Sequence, residues 1–179
     1  RQGYDAADHG RLNANWQAYN ESADLTDRVA RDTIRARARD LERNSDLANE
    51  IILAFRRNVV GKGFTLQART QSDELNSQVE ALWRQWTKSR NCDVTGQQSL
   101  NQMLRMAVQR KKVDGGILFL KCYTKDGLLP FKLQALEVDE LALSQSVPKY
   151  KDDRVVGGVE FNRYGKPTGY WVQQYSIDG

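Results

Sequence analysis

The spacing of apolar and polar positions changes along the chain, and the change divides the sequence into a helical part and a strand-rich part. Up to about residue 113, apolar side chains recur every three or four positions, which is the period of an amphipathic helix. From about residue 117 onwards, short apolar runs alternate with polar positions and are separated by turn residues, which is typical of strands. Helices followed by antiparallel strands indicate an α+β fold.

Four amphipathic helices are predicted, each beginning at a Ser or Asp whose side chain can accept a hydrogen bond from the first turn. They cover residues 24–44, 45–61, 72–90 and 99–114. The first has an apolar stripe at Ala30, Ile34, Ala38 and Leu41. The third is the most amphipathic, and its apolar face predicts a core made of Leu75, Val79, Leu82, Trp83 and Trp86.

Five strands are predicted to form one antiparallel sheet of hairpins. They lie near residues 64–68, 117–124, 131–136, 155–161 and 168–175. Residues 1–23 have weak periodicity and many polar groups, so they are interpreted as an arm or a weakly ordered segment. The remainder, residues 24–179, is interpreted as one α+β domain.

Composition narrows the range of functions. The net charge is +4 and the sequence pI is about 9.1, which permits an anionic partner but does not require one, because 27 basic residues are interleaved with 23 acidic ones. Cys92, Cys122 and His9 do not form a cluster with zinc-ligand spacing. No apolar run approaches transmembrane length. The sequence therefore predicts no cofactor, no metal, no membrane association and no enzyme activity.

The first helix carries the most distinctive charge pattern. Five arginines recur every three or four residues and share one face, namely Arg28, Arg31, Arg35, Arg39 and Arg43. Such a face could bind phosphates, as in a nucleic-acid-binding module, or the carboxylates of a neighbouring subunit. The alternative is a solvated face balanced by local pairs, since Asp27, Asp32, Asp40 and Glu42 lie three or four residues from an arginine.

Several segments in succession resemble the lambda-type phage portal family. Each is weakly specific alone, but their order and spacing hold from about residue 28 to the end. The segments are residues 36–44, 59–64, 79–83, 92–94, 114–119, 155–159 and 165–172.

The resemblance implies a dodecameric ring at one capsid vertex of a phage or prophage, through which double-stranded DNA is packaged and ejected. Its partners would be other copies of itself, the terminase motor, capsid proteins and tail-connector proteins, with assembly in the bacterial host cytoplasm. This chain would correspond to the wing of the subunit, truncated before the stem and clip. The family offers no catalytic motif.

Overall fold

The computed structural model describes residues 10–11, 14–15, 20–142 and 147–173. Within these residues helices come first and antiparallel strands follow, which confirms the α+β prediction. Most of the predicted arm, including His9, lies outside the described residues. The helices are α1 (Ala23–Asn44), α2 (Asp46–Val60), α3 (Asp73–Trp86), α4 (Ser89–Cys92) and α5 (Leu100–Val113). The strands are β1 (Leu118–Cys122), β2 (Lys132–Leu136), β3 (Arg154–Val156), β4 (Val159–Phe161) and β5 (Pro167–Tyr170), with a 3-10 turn at Val138–Glu140.

Helix starts follow the capping residues of the sequence. Ser45 accepts a hydrogen bond from Ala48 N in α2, and Ser99 forms a reciprocal pair with Gln102 at the start of α5. The start of α1 differs from the prediction, because its N-cap is Ser22 and not Asp24. The three predicted caps after the first helix, Ser45, Ser72 and Ser99, are confirmed.

The predicted third helix is two helices. The chain leaves helical geometry at Lys88, whose ψ is 152°, and turns again into the four-residue α4. Two hydrogen bonds hold this break: Asn91 Nδ2 donates to Gln85 O at 2.8 Å, and Leu100 N donates to Thr87 O at 2.9 Å. Carbonyl groups at the end of α3 are thereby satisfied without continuing the helix.

Residues 64–68 do not form the predicted strand. This segment lies alongside α3, where Ala68 N donates to Glu80 Oε1 at 3.1 Å and Thr70 N donates to Asn76 Oδ1 at 2.8 Å. No described strand pairs with it. Side chains of α3 therefore take up backbone groups that a neighbouring strand would otherwise have bonded.

The strands form two small sheets, whereas one sheet was predicted. β1 and β2 are an antiparallel hairpin in which Leu118 faces Leu136, and β3, β4 and β5 form a separate antiparallel sheet. The predicted strand over residues 155–161 is split by Gly157 and Gly158, whose φ angles are +57° and +77°. Two consecutive positive φ values make a two-residue hairpin loop, so the chain reverses there.

The core lies between α3, α4, α5 and the β1–β2 hairpin. Trp86, Cys92 and Met103 are buried at its centre. Trp86 Nε1 donates to Phe131 O at 2.9 Å, and the two rings stack with centroids 5.7 Å apart. Burial raises the pKa of the Cys92 thiol, which stays neutral.

Only part of the predicted core set is buried. Trp86 is buried and Trp83 is half-buried, with their ring centroids 5.4 Å apart. Leu75, Val79 and Leu82 are 47%, 36% and 38% exposed, so the prediction that they form core was wrong for the described chain. The hairpin covers the tryptophan end of α3 and leaves the earlier turns of its apolar face uncovered.

Candidate functional site

The arginine-bearing face of α1 packs against the rest of the chain, and part of its apolar stripe is exposed. The side chains of Arg35 and Arg39 are 10% and 27% exposed, whereas Ile34 and Leu41 are 60% and 54% exposed. This orientation is the reverse of what hydrophobicity alone indicates for an amphipathic helix. Charge pairing, and not apolar burial, therefore decides which side of α1 faces inward.

Arg39 is the centre of the contact between α1 and the strand-rich part. Its Nε donates to Asp114 Oδ1 at 2.6 Å, and its Nη2 donates to Asp139 Oδ2 at 2.5 Å. Arg35 binds the other oxygen of Asp139 through Nη1. Asp114 follows the last residue of α5, and Asp139 lies in the 3-10 turn after β2. Two arginines of one helix thus join the end of a second helix to the end of a hairpin.

A second group of contacts extends the network along α5. Arg110 Nη1 donates to Asp114 Oδ2 at 3.0 Å, and Arg110 Nη2 binds Glu42 of α1. Gln109 Nε2 also donates to Glu42 Oε1, at 2.5 Å. The side chain of Asp114 is 2% exposed and receives guanidinium groups from both helices. We call the six charged side chains Arg35, Arg39, Glu42, Arg110, Asp114 and Asp139 the ion-pair network.

The pKa values of the network agree with this pairing. The hydrogen bond that Arg39 donates to Asp114 raises the pKa of Arg39 above its ordinary value. Burial alone would raise the pKa of Asp139, but the hydrogen bond from Arg39 and the charges of Arg39 and Arg35 outweigh burial and lower it. Burial likewise opposes ionisation of Arg110, and its bond to Glu42 more than compensates. These three groups are therefore held in their charged forms.

The other predicted arginines are placed differently. Arg28 and Arg43 are exposed. Arg31 is half-buried, and its Nη1 lies against Gly157, 3.6 Å from the point where a Cβ would stand. The five arginines therefore do not act as one surface, because Arg35 and Arg39 are already bound by carboxylates of their own chain.

Some acidic residues of α1 are bound by partners other than the predicted local arginines. Arg35 lies 3.9 Å from Asp32, but Asp40 accepts from Asn44 and Glu42 binds Arg110. Sequence reasoning missed the long-range partners Asp114, Asp139 and Arg110. No spacing in the sequence marks these residues as partners, since Arg39 and Asp114 are 75 positions apart.

The six named side chains balance, with three guanidinium groups against three carboxylates, and a fourth carboxylate, Glu137, lies 3.7 Å from Arg39 Nη2. A phosphate could reach Arg35 or Arg39 only by displacing a carboxylate from a partly buried pair, which is costly. Among the described residues, no three His, Cys, Asp or Glu side chains are grouped so that they could hold a metal ion. No helix in this part of the chain is long and apolar enough to cross a membrane. The arrangement is suited to joining elements rigidly.

Comparison with known proteins gives the family of this chain. Residues 9–177 match the family described as phage portal protein, lambda family, and the chain belongs to that family. It is also similar to a probable portal protein of Halomonas phage phiHAP-1, with 28% identity over 173 residues that cover 92% of this chain. The chain spans 33% of the length of that relative.

Proposed function

We propose that this chain is part of a structural subunit of a phage portal ring, the assembly at a capsid vertex through which double-stranded DNA is packaged and ejected. The observation that carries the proposal is the match to the lambda portal family across residues 9–177. In this proposal residues 24–179 are a wing-like domain, and the stem and clip belong to the remainder of the subunit. The role is structural and not enzymatic.

The proposed partners follow from the same reasoning. Copies of the subunit form the ring, of which a dodecamer is the expected form. Terminase and tail-connector proteins dock to the ring, and capsid proteins surround it. The ring resides at the capsid vertex of the virion and is assembled in the cytoplasm of the bacterial host.

The ion-pair network supports a structural role over a nucleic-acid-binding module. A module of that kind needs cations that face the phosphates, and binding becomes steeply salt-dependent because counterions are released. Here Arg35 and Arg39 of α1 already bind Asp139 and Asp114. DNA that slides through a ring also needs weak contacts, because tight phosphate binding would hinder its passage.

Electron microscopy of the full-length protein tests the proposal. Rings with a central channel are expected at low micromolar concentration, and a monodisperse monomer under the same conditions would contradict the proposal. Gel retardation with double-stranded DNA at low and moderate salt tests the alternative, a nucleic-acid-binding module. Tight binding by the 179-residue chain that weakens steeply with salt would favour the nucleic-acid-binding module.

A further inference from the structure

A basic apolar groove lies between the end of α2 and one face of α5. Its cavity volume is about 320 Å³, and the side chains that define it are Val59, Phe64, Leu104, Val108, Lys111 and Ile117. Val59 and Phe64 on its walls are 56% and 61% exposed. Exposed apolar surface of this kind on a soluble protein marks an interaction site when it is contiguous and rimmed by charge.

Lys111 lines this groove, none of the residues that line it is acidic, and Lys62 and Lys112 are close to lining residues in the sequence. Lys111 stands at its rim, and Lys112 covers Phe55 with its Nζ 3.9 Å from the ring centroid. Lys62 is exposed beside Phe64. An apolar element flanked by carboxylates is therefore the partner that this groove would accept.

The first turns of α3 carry an exposed apolar face together with carboxylates. Leu75, Val79 and Leu82 follow the i, i+4, i+7 spacing of one helix face and are exposed. Asp73 and Glu74 precede them in the first turn, both exposed, and neither forms an ion pair with a described cation. We call these five residues the α3 stripe. A helix face with this spacing can insert its side chains into a groove between two helices.

We infer that the α3 stripe of one copy of the chain docks into the basic groove of the next copy. The two surfaces differ in shape and are opposite in charge, so the contact is head-to-tail, and each copy can use both surfaces at once with two neighbours. Repetition of such a contact generates a ring when its rotation closes. The inference rests on the proposed function and deepens it by naming the contact between ring neighbours.

Charge reversal in the full-length protein tests this contact. The groove variant is Lys111→Glu with Lys112→Glu, and the stripe variant is Asp73→Lys with Glu74→Lys. Each alone should raise the protein concentration needed for half-maximal ring assembly at least about ten-fold, because like charges would meet across the contact. The matched control is Lys125→Glu with Lys151→Glu, which reverses two exposed lysines outside both surfaces and should assemble as the wild type does.

An equimolar mixture of the groove and stripe variants is the decisive arm. In an alternating ring each reversed groove meets a reversed stripe, and each unchanged groove meets an unchanged stripe. Assembly should therefore return to within about three-fold of the wild type, as measured by sedimentation and electron microscopy. If either single variant assembles normally, or if the mixture does not recover, the inference is wrong.

Two checks keep the outcome clear. Circular dichroism of each variant should match the wild type. If the reversals unfold α3, the milder variant Asp73→Asn with Glu74→Gln replaces them, and Lys125→Gln with Lys151→Gln is its control. Ring assembly should weaken in the milder variant and stay unchanged in the control. A wild type that forms no ring at all contradicts the proposed function, whereas wild-type rings with unaffected variants contradict only the docking contact.

Discussion

At the scale of single residues, Arg39 shows why the first helix faces the way it does. Its guanidinium group donates hydrogen bonds to two carboxylates on different elements, Asp114 and Asp139, and also lies 3.7 Å from a carboxylate oxygen of Glu137. A planar group with several donors suits this geometry, and a lysine ammonium does not offer the same fork. Loss of Arg39 would leave Asp114, which is nearly inaccessible to water, with Arg110 as its remaining cation.

Arg39→Ala should lower the free energy of unfolding by about 3 kcal/mol, because one partner of a partly buried ion pair is removed and the other stays in place. Arg39→Lys should recover only part of that loss. Arg37→Ala is the matched control, since Arg37 is exposed on the same helix, and it should change stability by no more than about 0.5 kcal/mol. Urea unfolding of the 179-residue chain measures all three, and equal effects of Arg37 and Arg39 would show that the network contributes little.

The carboxylate of Asp93 should make the stability of the chain depend on pH in the acid range. Asp93 is buried and accepts hydrogen bonds from Thr95, Gln97 and Gln98. Burial by itself would raise the pKa of Asp93, but these hydrogen bonds outweigh it and lower the pKa below the ordinary value of 3.8. A carboxylate whose pKa is depressed in the folded state contributes stability that is present above the unfolded pKa and is lost as pH falls through the folded one.

Stability should therefore fall as pH decreases below about 4, and Asp93→Asn should lose part of that pH dependence while being less stable than the wild type near pH 7. Unfolding free energies measured at intervals between pH 7 and pH 2.5 test this. Exposed Asp152 offers the control, because Asp152→Asn should leave the acid transition where it is in the wild type. If the free energy of unfolding of Asp93→Asn falls with pH as steeply as that of the wild type, the role given to this carboxylate is wrong.

At the scale of elements, α3 is anchored at one end. Trp86 packs on Phe131 and its indole nitrogen is hydrogen-bonded, whereas Leu75 at the other end is exposed. The break at Lys88 and the short α4 turn the chain so that Cys92 and Met103 complete the core beside Trp86. The helix thus combines a core-forming end with an uncovered end.

Trp86→Ala should cost about 3–5 kcal/mol of stability, since it removes a large buried ring and leaves a cavity. Leu75→Ala should cost under about 1 kcal/mol in the isolated 179-residue chain, because an exposed side chain loses little on truncation. Thermal and urea unfolding give both values. A large cost for Leu75→Ala would mean that the earlier turns of α3 are covered in solution.

At the scale of the whole molecule, the charge distribution decides what the chain can bind. Its net charge is +4, but Arg35, Arg39 and Arg110 are paired internally. The cations left at the surface include those around the basic groove. The surface charge of the described residues is therefore not concentrated along one arginine face.

Two double variants should show whether the arginines of α1 pair within the chain or bind nucleic acid. The inner pair is Arg35→Gln with Arg39→Gln, and the outer pair is Arg28→Gln with Arg43→Gln. The inner pair should destabilise the chain and impair assembly of the full-length protein, because it dismantles the ion-pair network. The outer pair should change the stability by less than about 1 kcal/mol. Gel retardation at low salt is run in parallel, and a sharp loss of DNA binding in the outer pair with normal assembly would restore the nucleic-acid interpretation.

Local periodicity was sufficient for most of the helices and for the fold class, but it did not show the break at Lys88 that divides the predicted third helix. The caps at Ser45, Ser72 and Ser99 and the switch from helices to strands could be predicted from the sequence because neighbouring residues determine them. The succession of short segments was enough to indicate the portal family.

Tertiary structure determined which helix faces are buried and which side chains and backbone groups pair with each other. Periodicity alone indicated that Ile34 and Leu41 would face inward, yet Arg35 and Arg39 do, because their carboxylates come from elements 75 to 104 positions away. The strand expected at residues 64–68 did not form for a related reason: a strand needs a partner, no described strand pairs with this segment, and Ala68 N donates instead to Glu80 of α3. A sequence pattern reports the geometry of a few adjacent turns, whereas burial and pairing depend on what the whole chain brings against them.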